Sequence, residues 1–122
     1  MVNNDRCPVQ ATLELIGGKY KALILWHLSE GTMRFSELKK EIPGATPKML
    51  TQQLRELENC QLIHREVFPV IPPKVEYSLT ETGRSLLPIL VAMRDWGADY
   101  LRRQDLEPSC FMMANDPITH TN

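Results

Sequence analysis

The chain has 122 residues, with 14 Lys/Arg against 15 Asp/Glu for a formal net charge of -1, and 43% of its residues are hydrophobic. This is enough for one core but not two; the charge is too balanced for a generally basic nucleic-acid coat, and no apolar run approaches the roughly 20 residues of a membrane span. Three widely spaced cysteines, an odd number, do not form the disulfide framework of a small secreted domain, and the opening MVNNDRCPVQ lacks a charged-then-apolar signal pattern, so a cytoplasmic location is expected.

Residues 8–16 are predicted as a short helix ended by Gly17-Gly18, and residues 19 to about 30 as a second helix with Leu23, Ile24, Trp26 and Leu28 as apolar mass, stopping at Gly31. Met33-Arg34 can add a short strand to a sheet further on. Residues 36–42 give a third helix, with Phe35, Leu38 and Ile42 on the core side, and Pro43-Gly44-Ala45 breaks it. The next helix begins at Pro47: Thr46 is a good N-cap, and a proline's missing N–H costs nothing in a first turn. Leu50, Leu54 and Leu57 recur at i, i+4 and i+7, which sends Lys48, Thr51, Gln52, Arg55 and Asn59 to the opposite face. Such a face can neutralise phosphates and read base edges. Alone, it also describes any helix that meets water.

The segment after this helix shifts the balance. Residues 62–68 and 75–79 alternate as two half-buried strands around Pro69-Val70-Ile71-Pro72-Pro73-Lys74, a stiff tip that cannot be a central strand. Helix-turn-helix then hairpin is the order of a winged helix. Residues 31–75 hold seven Lys/Arg and five Asp/Glu, whereas 76–122 hold four and seven, so the candidate reading module is mildly basic. After Thr80, a residue type suited to an N-cap, a long helix is expected from 81 to about 103, kinked at Pro88, with Leu86, Leu87, Ile89, Leu90, Met93, Trp96, Ala98 and Leu101 apolar. That is more apolar surface than so small a domain covers, so burial against a second copy is expected, with the N-terminal helix joining in. The organisation expected is one mainly α domain with a small β-hairpin wing over residues 1–104, carrying N- and C-terminal dimerisation helices. Residues 105–122, without period, are expected to form a disordered tail.

His27, His64 and His120 share no metal spacing with each other or the cysteines, and no catalytic motif is present, so neither metal, cofactor nor enzymatic activity is expected. His27 is expected to be a hydrogen-bonded packing residue, and His64 lies where it can touch DNA. Cys7 precedes Pro8 at a helix start and follows Arg6; dipole and cation both favour thiolate, which would make it oxidant-sensitive. The plain alternative is a small residue that packs there. Cys60 is expected to be buried, and Cys110 to sit in the tail.

The chain resembles the HxlR-type winged-helix transcriptional regulators, relatives of the MarR-type regulators, from Cys7 to about Leu101. The resemblance rests on Cys7-Pro8; Ile16-Gly17-Gly18-Lys19-Tyr20; Arg34-Phe35-Ser36-Glu37-Leu38; the run from Leu50 through Glu58; Pro72-Pro73-Lys74-Val75-Glu76-Tyr77-Ser78-Leu79-Thr80; and Trp96-Gly97. Three departures stand out: Tyr20 replaces the usual tryptophan, Gln61 stands where glycine is common, and Cys60 lies beside it; Gln61 implies either a strained residue or a differently ended helix. The resemblance implies a homodimer on double-stranded DNA, and two reading helices about one turn, roughly 34 Å, apart imply a pseudo-palindromic operator. Lys48, Thr51, Gln52 and Arg55 would enter the major groove, Ser36 and Thr46 would hold phosphates, and Arg65 and Lys74 would grip the flanking backbone or minor groove. It also implies sensing of oxidants or electrophiles through Cys7, bridged to a partner subunit's cysteine; Cys60 and Cys110 both remain available. The competing readings are a protein-binding module using Val70-Ile71, and a regulator gated by a small apolar ligand near Met93 and Trp96.

Overall fold

The computed structural model describes residues 6–114. Helix α1 (Pro8–Ile16) starts on its proline and stops at Gly17, and α2 (Lys21–Leu28) is the central helix. Ile24, Leu25, Trp26 and Leu28 are at most 1% exposed, so α2 is enclosed nearly all round. It is shorter than residues 19–30. At its start the Tyr20 N–H donates to Gln53 Oε1 at 2.8 Å, and at its end the N–H groups of Ser29, Glu30 and Gly31 donate three residues back, which tightens the last turn. Gly31, at φ 148°, then turns the chain in a conformation an L side chain rarely adopts.

Strand β1 (Met33–Arg34) leads directly into α3 (Phe35–Glu41), where the Arg34 N–H donates to Glu37 Oε1 at 2.8 Å. Helix α4 (Pro47–Asn59) comes next, then β2 (Ile63–Phe68) and β3 (Lys74–Leu79). The antiparallel sheet has the order β1-β3-β2, with Met33 opposite Tyr77 and the hairpin running in register from Ile63 opposite Leu79 to Phe68 opposite Lys74. The expected pairing of Met33-Arg34 with the wing is present. A cis peptide joins Ile71 to Pro72 at the hairpin tip.

The expected kinked helix from 81 to 103 is two helices, α5 (Glu81–Arg84) and α6 (Leu87–Arg103). Pro88 lies in the first turn of α6, where an N–H would have no acceptor within the helix, so the chain breaks and restarts instead of bending. Beyond α6, residues expected to be tail dock on the core: Phe111–Met113 forms a 3-10 helix, and the Phe111 ring stacks on His27 with centroids 3.9 Å apart. Arg94 Nη1 donates to the Met112 carbonyl at 3.2 Å. Residues 115–122, including His120, lie outside the described residues. His27 therefore packs by stacking, and its buried Nε2 has no hydrogen-bond partner among the described residues. Burial pushes its pKa down, against the upward pull of Glu41 and Glu30.

Gln61 resolves the question left by the missing glycine. It is held at φ 62°, its N–H donates to the Glu58 carbonyl at 2.9 Å, and the Leu62 N–H reaches the Leu57 carbonyl at 3.0 Å. This is the Schellman end of a helix, made with a residue that pays a steric cost in the left-handed region. Gln61→Gly is expected to stabilise the fold by about 1 kcal/mol, read as a higher urea midpoint at unchanged m. An unchanged or lower midpoint would mean that the Gln61 side chain has a role of its own.

Candidate nucleic-acid interface

Helix α4 faces two ways. Leu50, Leu54 and Leu57 are at most 1% exposed, each burial stabilising by about 1.5–3 kcal/mol. Lys48, Thr51, Gln52 and Arg55 are exposed on the other side. Thr46 caps the helix, its Oγ1 accepting from the Met49 N–H at 3.1 Å, and Ser36 is exposed in the first turn of α3.

Helix α4 is also tied to its scaffold by polar contacts that the sequence reading missed. Lys21, buried at the start of α2, holds Glu56 at 2.8 Å, and three residues earlier Gln53 accepts from the Tyr20 N–H. The Tyr20 hydroxyl donates to the Gly44 carbonyl at 2.8 Å, tying the turn between α3 and α4 to the same point. Gln53 and Glu56 flank the leucine stripe at i and i+3, and that spacing was the available signal. Lys21 sits in the run after Gly17-Gly18, where nothing local shows that its ammonium will be covered.

The hydrogen bond from Lys21 holds the Glu56 carboxyl below its usual 4.5, more than offsetting the desolvation that raises it. A depressed carboxylate contributes stability above the unfolded-state value and loses it as pH falls through the folded value. Glu56→Gln is therefore expected to lower the melting temperature at neutral pH, and the gap to the parent should close as pH falls below about 4.5. The effect is small because the carboxylate is half exposed and screened. A gap that persists in acid would assign the loss to packing.

Between α4 and the base of the hairpin, Thr51, Arg55, Glu58, Arg65 and Tyr77 line a cleft of about 360 Å³. The structure thus brings Thr51, Arg55 and Arg65 together, with Glu58 supplying an opposite charge. Lys74 is not among them. Its Nζ lies 4.5 Å from the Phe68 ring centroid and 3.6 Å from Glu76 Oε2, folded back on the hairpin. His64 is exposed on β2.

A second surface lies between α1 and α6, where Val9, Leu13, Ile16, Ile89 and Met93 line an apolar groove of about 340 Å³. Trp96, 67% exposed, stacks on Tyr100 further along α6. All three cysteines are exposed. This corrects the expectation for Cys60: as the C-cap residue it stays outside, while the Schellman turn directs Leu62 inward. Cys7 is the N-cap of α1. Among the described residues no group of His, Cys, Asp or Glu could hold a metal ion, and no helix is long and apolar enough to cross a membrane.

A helix-turn-helix with a capped, polar reading helix and an adjacent antiparallel hairpin defines a winged-helix DNA-binding protein. The HxlR-like helix-turn-helix model matches residues 15–105, and the chain belongs to that family of transcriptional regulators. It is 56% identical over 101 residues to the HTH-type transcriptional regulator YdeP of Bacillus subtilis (strain 168), covering 83% of this chain and 79% of YdeP. The crystal structure of a putative HTH-type transcriptional regulator, ytcD, superposes with a TM-score of 0.76 at 55% identity, covering 79% of this chain and 98% of that one. The redox regulator HypR in its oxidized form gives a TM-score of 0.71 at 53% identity, covering 75% of this chain and 94% of that one.

Proposed function

We propose that this chain acts as a cytoplasmic homodimer that binds a pseudo-palindromic DNA operator and regulates transcription by binding alone, without catalysing a reaction. The observation that carries the reading is the cleft shared by Thr51, Arg55 and Arg65, which puts cations from the reading helix and the wing on one surface. In this reading Lys48, Thr51, Gln52 and Arg55 meet base edges and phosphates in the major groove, Ser36 and Thr46 hold the phosphates at the helix N-termini, and Arg65 and Lys74 contact the flanking backbone. Lys74 must leave Glu76 to do so. Support for a homodimer comes from the exposed apolar groove between α1 and α6, whose residues a second copy would cover.

Cys7 is the proposed oxidant-responsive group. Its exposure and its place at the start of α1, beside the proposed dimer surface, support this, as does similarity to a redox regulator. A bridge to the partner would move one reading helix against the other.

The test is fluorescence anisotropy with duplexes selected by the reduced protein from a randomised pool, across a salt series and against random competitor. Preference for the selected duplex and affinity that falls with salt support the reading. Equal affinity for selected and random duplex overturns it. Repeating the titration after a thiol oxidant, with Cys7→Ser alongside, tests the switch: a response that survives in the variant removes Cys7 from the role.

A further inference from the structure

The tip of the wing is apolar where an electrostatic clamp would be cationic. Ile71 is 100% exposed and Val70 51% exposed, and the five residues from Pro69 to Pro73 contain no charge. The wing's cations lie elsewhere: Arg65 in the cleft beside α4, and Lys74 held back on Phe68 and Glu76. Pro69, Pro72 and Pro73 restrict the backbone on both sides of the exposed pair, and the Val70 N–H is closed onto the Phe68 carbonyl at 2.8 Å, so the tip is presented stiffly.

We propose that Ile71, backed by Val70 and Pro72, is a wedge that enters the minor groove flanking the site read by α4 and partly unstacks a flexible base step. The proposal rests on the DNA-binding reading and deepens it. Two magnitudes favour DNA over a protein as the occupant. Two aliphatic side chains fall far short of the roughly 1,000 Å² that a specific protein interface buries, whereas a minor-groove wedge consists of one or two residues of this type. The reach also fits. From Arg65 to Ile71 at about 3.3 Å per residue is at most about 20 Å, and half a turn of the duplex, from major groove to the neighbouring minor groove, is roughly 17 Å. The surface is continuous with the proposed DNA face, because Arg65 on β2 lines the same cleft as Thr51 and Arg55. Pyrimidine–purine steps unstack at least cost, so the wedge would add a preference at a position that α4 does not touch.

The experiment uses the full chain and duplexes it selects from a randomised pool, with 2-aminopurine placed in turn at each step flanking the footprint. Binding of the parent protein should raise the fluorescence several-fold at one flanking step and bring the duplex ends closer by energy transfer. Ile71→Ser should abolish the rise and weaken binding several-fold while still preferring selected over random duplex; Ile71→Phe, another wedge residue, should keep the rise. Full exposure of Ile71 predicts unchanged melting temperatures for both variants. Tight, specific binding by the parent without any fluorescence rise overturns the wedge and leaves the DNA-binding reading intact. Identical rises for the parent and Ile71→Ser also overturn it, and hand the tip to a protein partner. Failure to prefer any selected duplex overturns the underlying reading and the wedge with it.

Discussion

Gly83→Ala should destabilise the fold more than any other single methyl group added to a glycine of this chain. Gly83 is buried in α5, and a Cβ there would clash with the Leu62 carbonyl oxygen and lie 3.3 Å from Leu79 Cδ2. The near atom is backbone with little freedom to move. The Leu62 carbonyl already accepts from the Thr80 N–H at 3.1 Å, and the Leu62 N–H is fixed to Leu57 by the turn that ends α4. Thr80 adds to the junction, its hydroxyl donating to the Gln61 carbonyl at 2.7 Å while capping α5 through the Gly83 N–H at 3.0 Å. Alanine gains about 1 kcal/mol of helix propensity over glycine. Overpacking against fixed backbone costs about 3 kcal/mol, the upper end of its usual range. The clash wins, and a net loss of about 2 kcal/mol is expected from urea unfolding of parent and variant. Since Leu62 leads into β2, the variant should also shift the wing relative to α4 and weaken DNA binding. An unchanged midpoint would show that α5 can slide away from the hairpin as a unit.

The second large effect is expected at Arg55, on DNA binding and not on the fold. Its side chain is exposed on α4 and shares the cleft with Thr51 and Arg65, so removing it opens no cavity and the urea midpoint should stay within experimental error. If it reads a guanine edge through two parallel hydrogen bonds, Arg55→Ala should cost about 1–3 kcal/mol on the selected duplex, roughly 5- to 150-fold in affinity. On random duplex the loss should be smaller, because a phosphate contact is all that is forfeited there. Arg55→Lys is the sharper control: it keeps the charge but not the planar fork, so it should preserve the random-duplex affinity and still lose discrimination. Equal losses on both duplexes would reduce Arg55 to a phosphate contact. Glu58 lines the same cleft and tempers the local positive charge. This fits a chain whose net charge is only -1 and whose affinity must come from placement.

Much of this molecule is written locally. Thr46-Pro47 starts the reading helix where it begins, the spacing of Leu50, Leu54 and Leu57 fixes which face is buried, and the proline-rich run between two alternating segments marks the hairpin. These signals are legible because capping, periodicity and turn chemistry act over a few residues. They also locate the outward residues of α4, although no spacing could say that Arg65 would join them while Lys74 folded back. Pro88 marks a disruption in the sequence, but the chain restarts there and does not kink. A proline is tolerated in a first turn and disruptive in an interior, and which applies depends on where the helix begins.

The remainder was decided by contacts between segments far apart in the sequence. Lys21 with Glu56 and Tyr20 with Gln53 join positions more than thirty residues apart, and they tie α4 to the start of α2. Phe111 docks on His27 across an even longer separation, in a segment whose composition shows no period. Cys60 is exposed because a Schellman turn directs Leu62 inward, and Gly83 has no room for a side chain because the carbonyl of Leu62, just before β2, lies over it. The sequence by itself determined the helix-turn-helix and hairpin, the family and the two faces of the reading helix, because each depends on short-range propensity and pattern. Only the tertiary structure decided the polar ties of that helix to α2, the company of each charge and the docking of Phe111, because burial and partnership are properties of the packed chain.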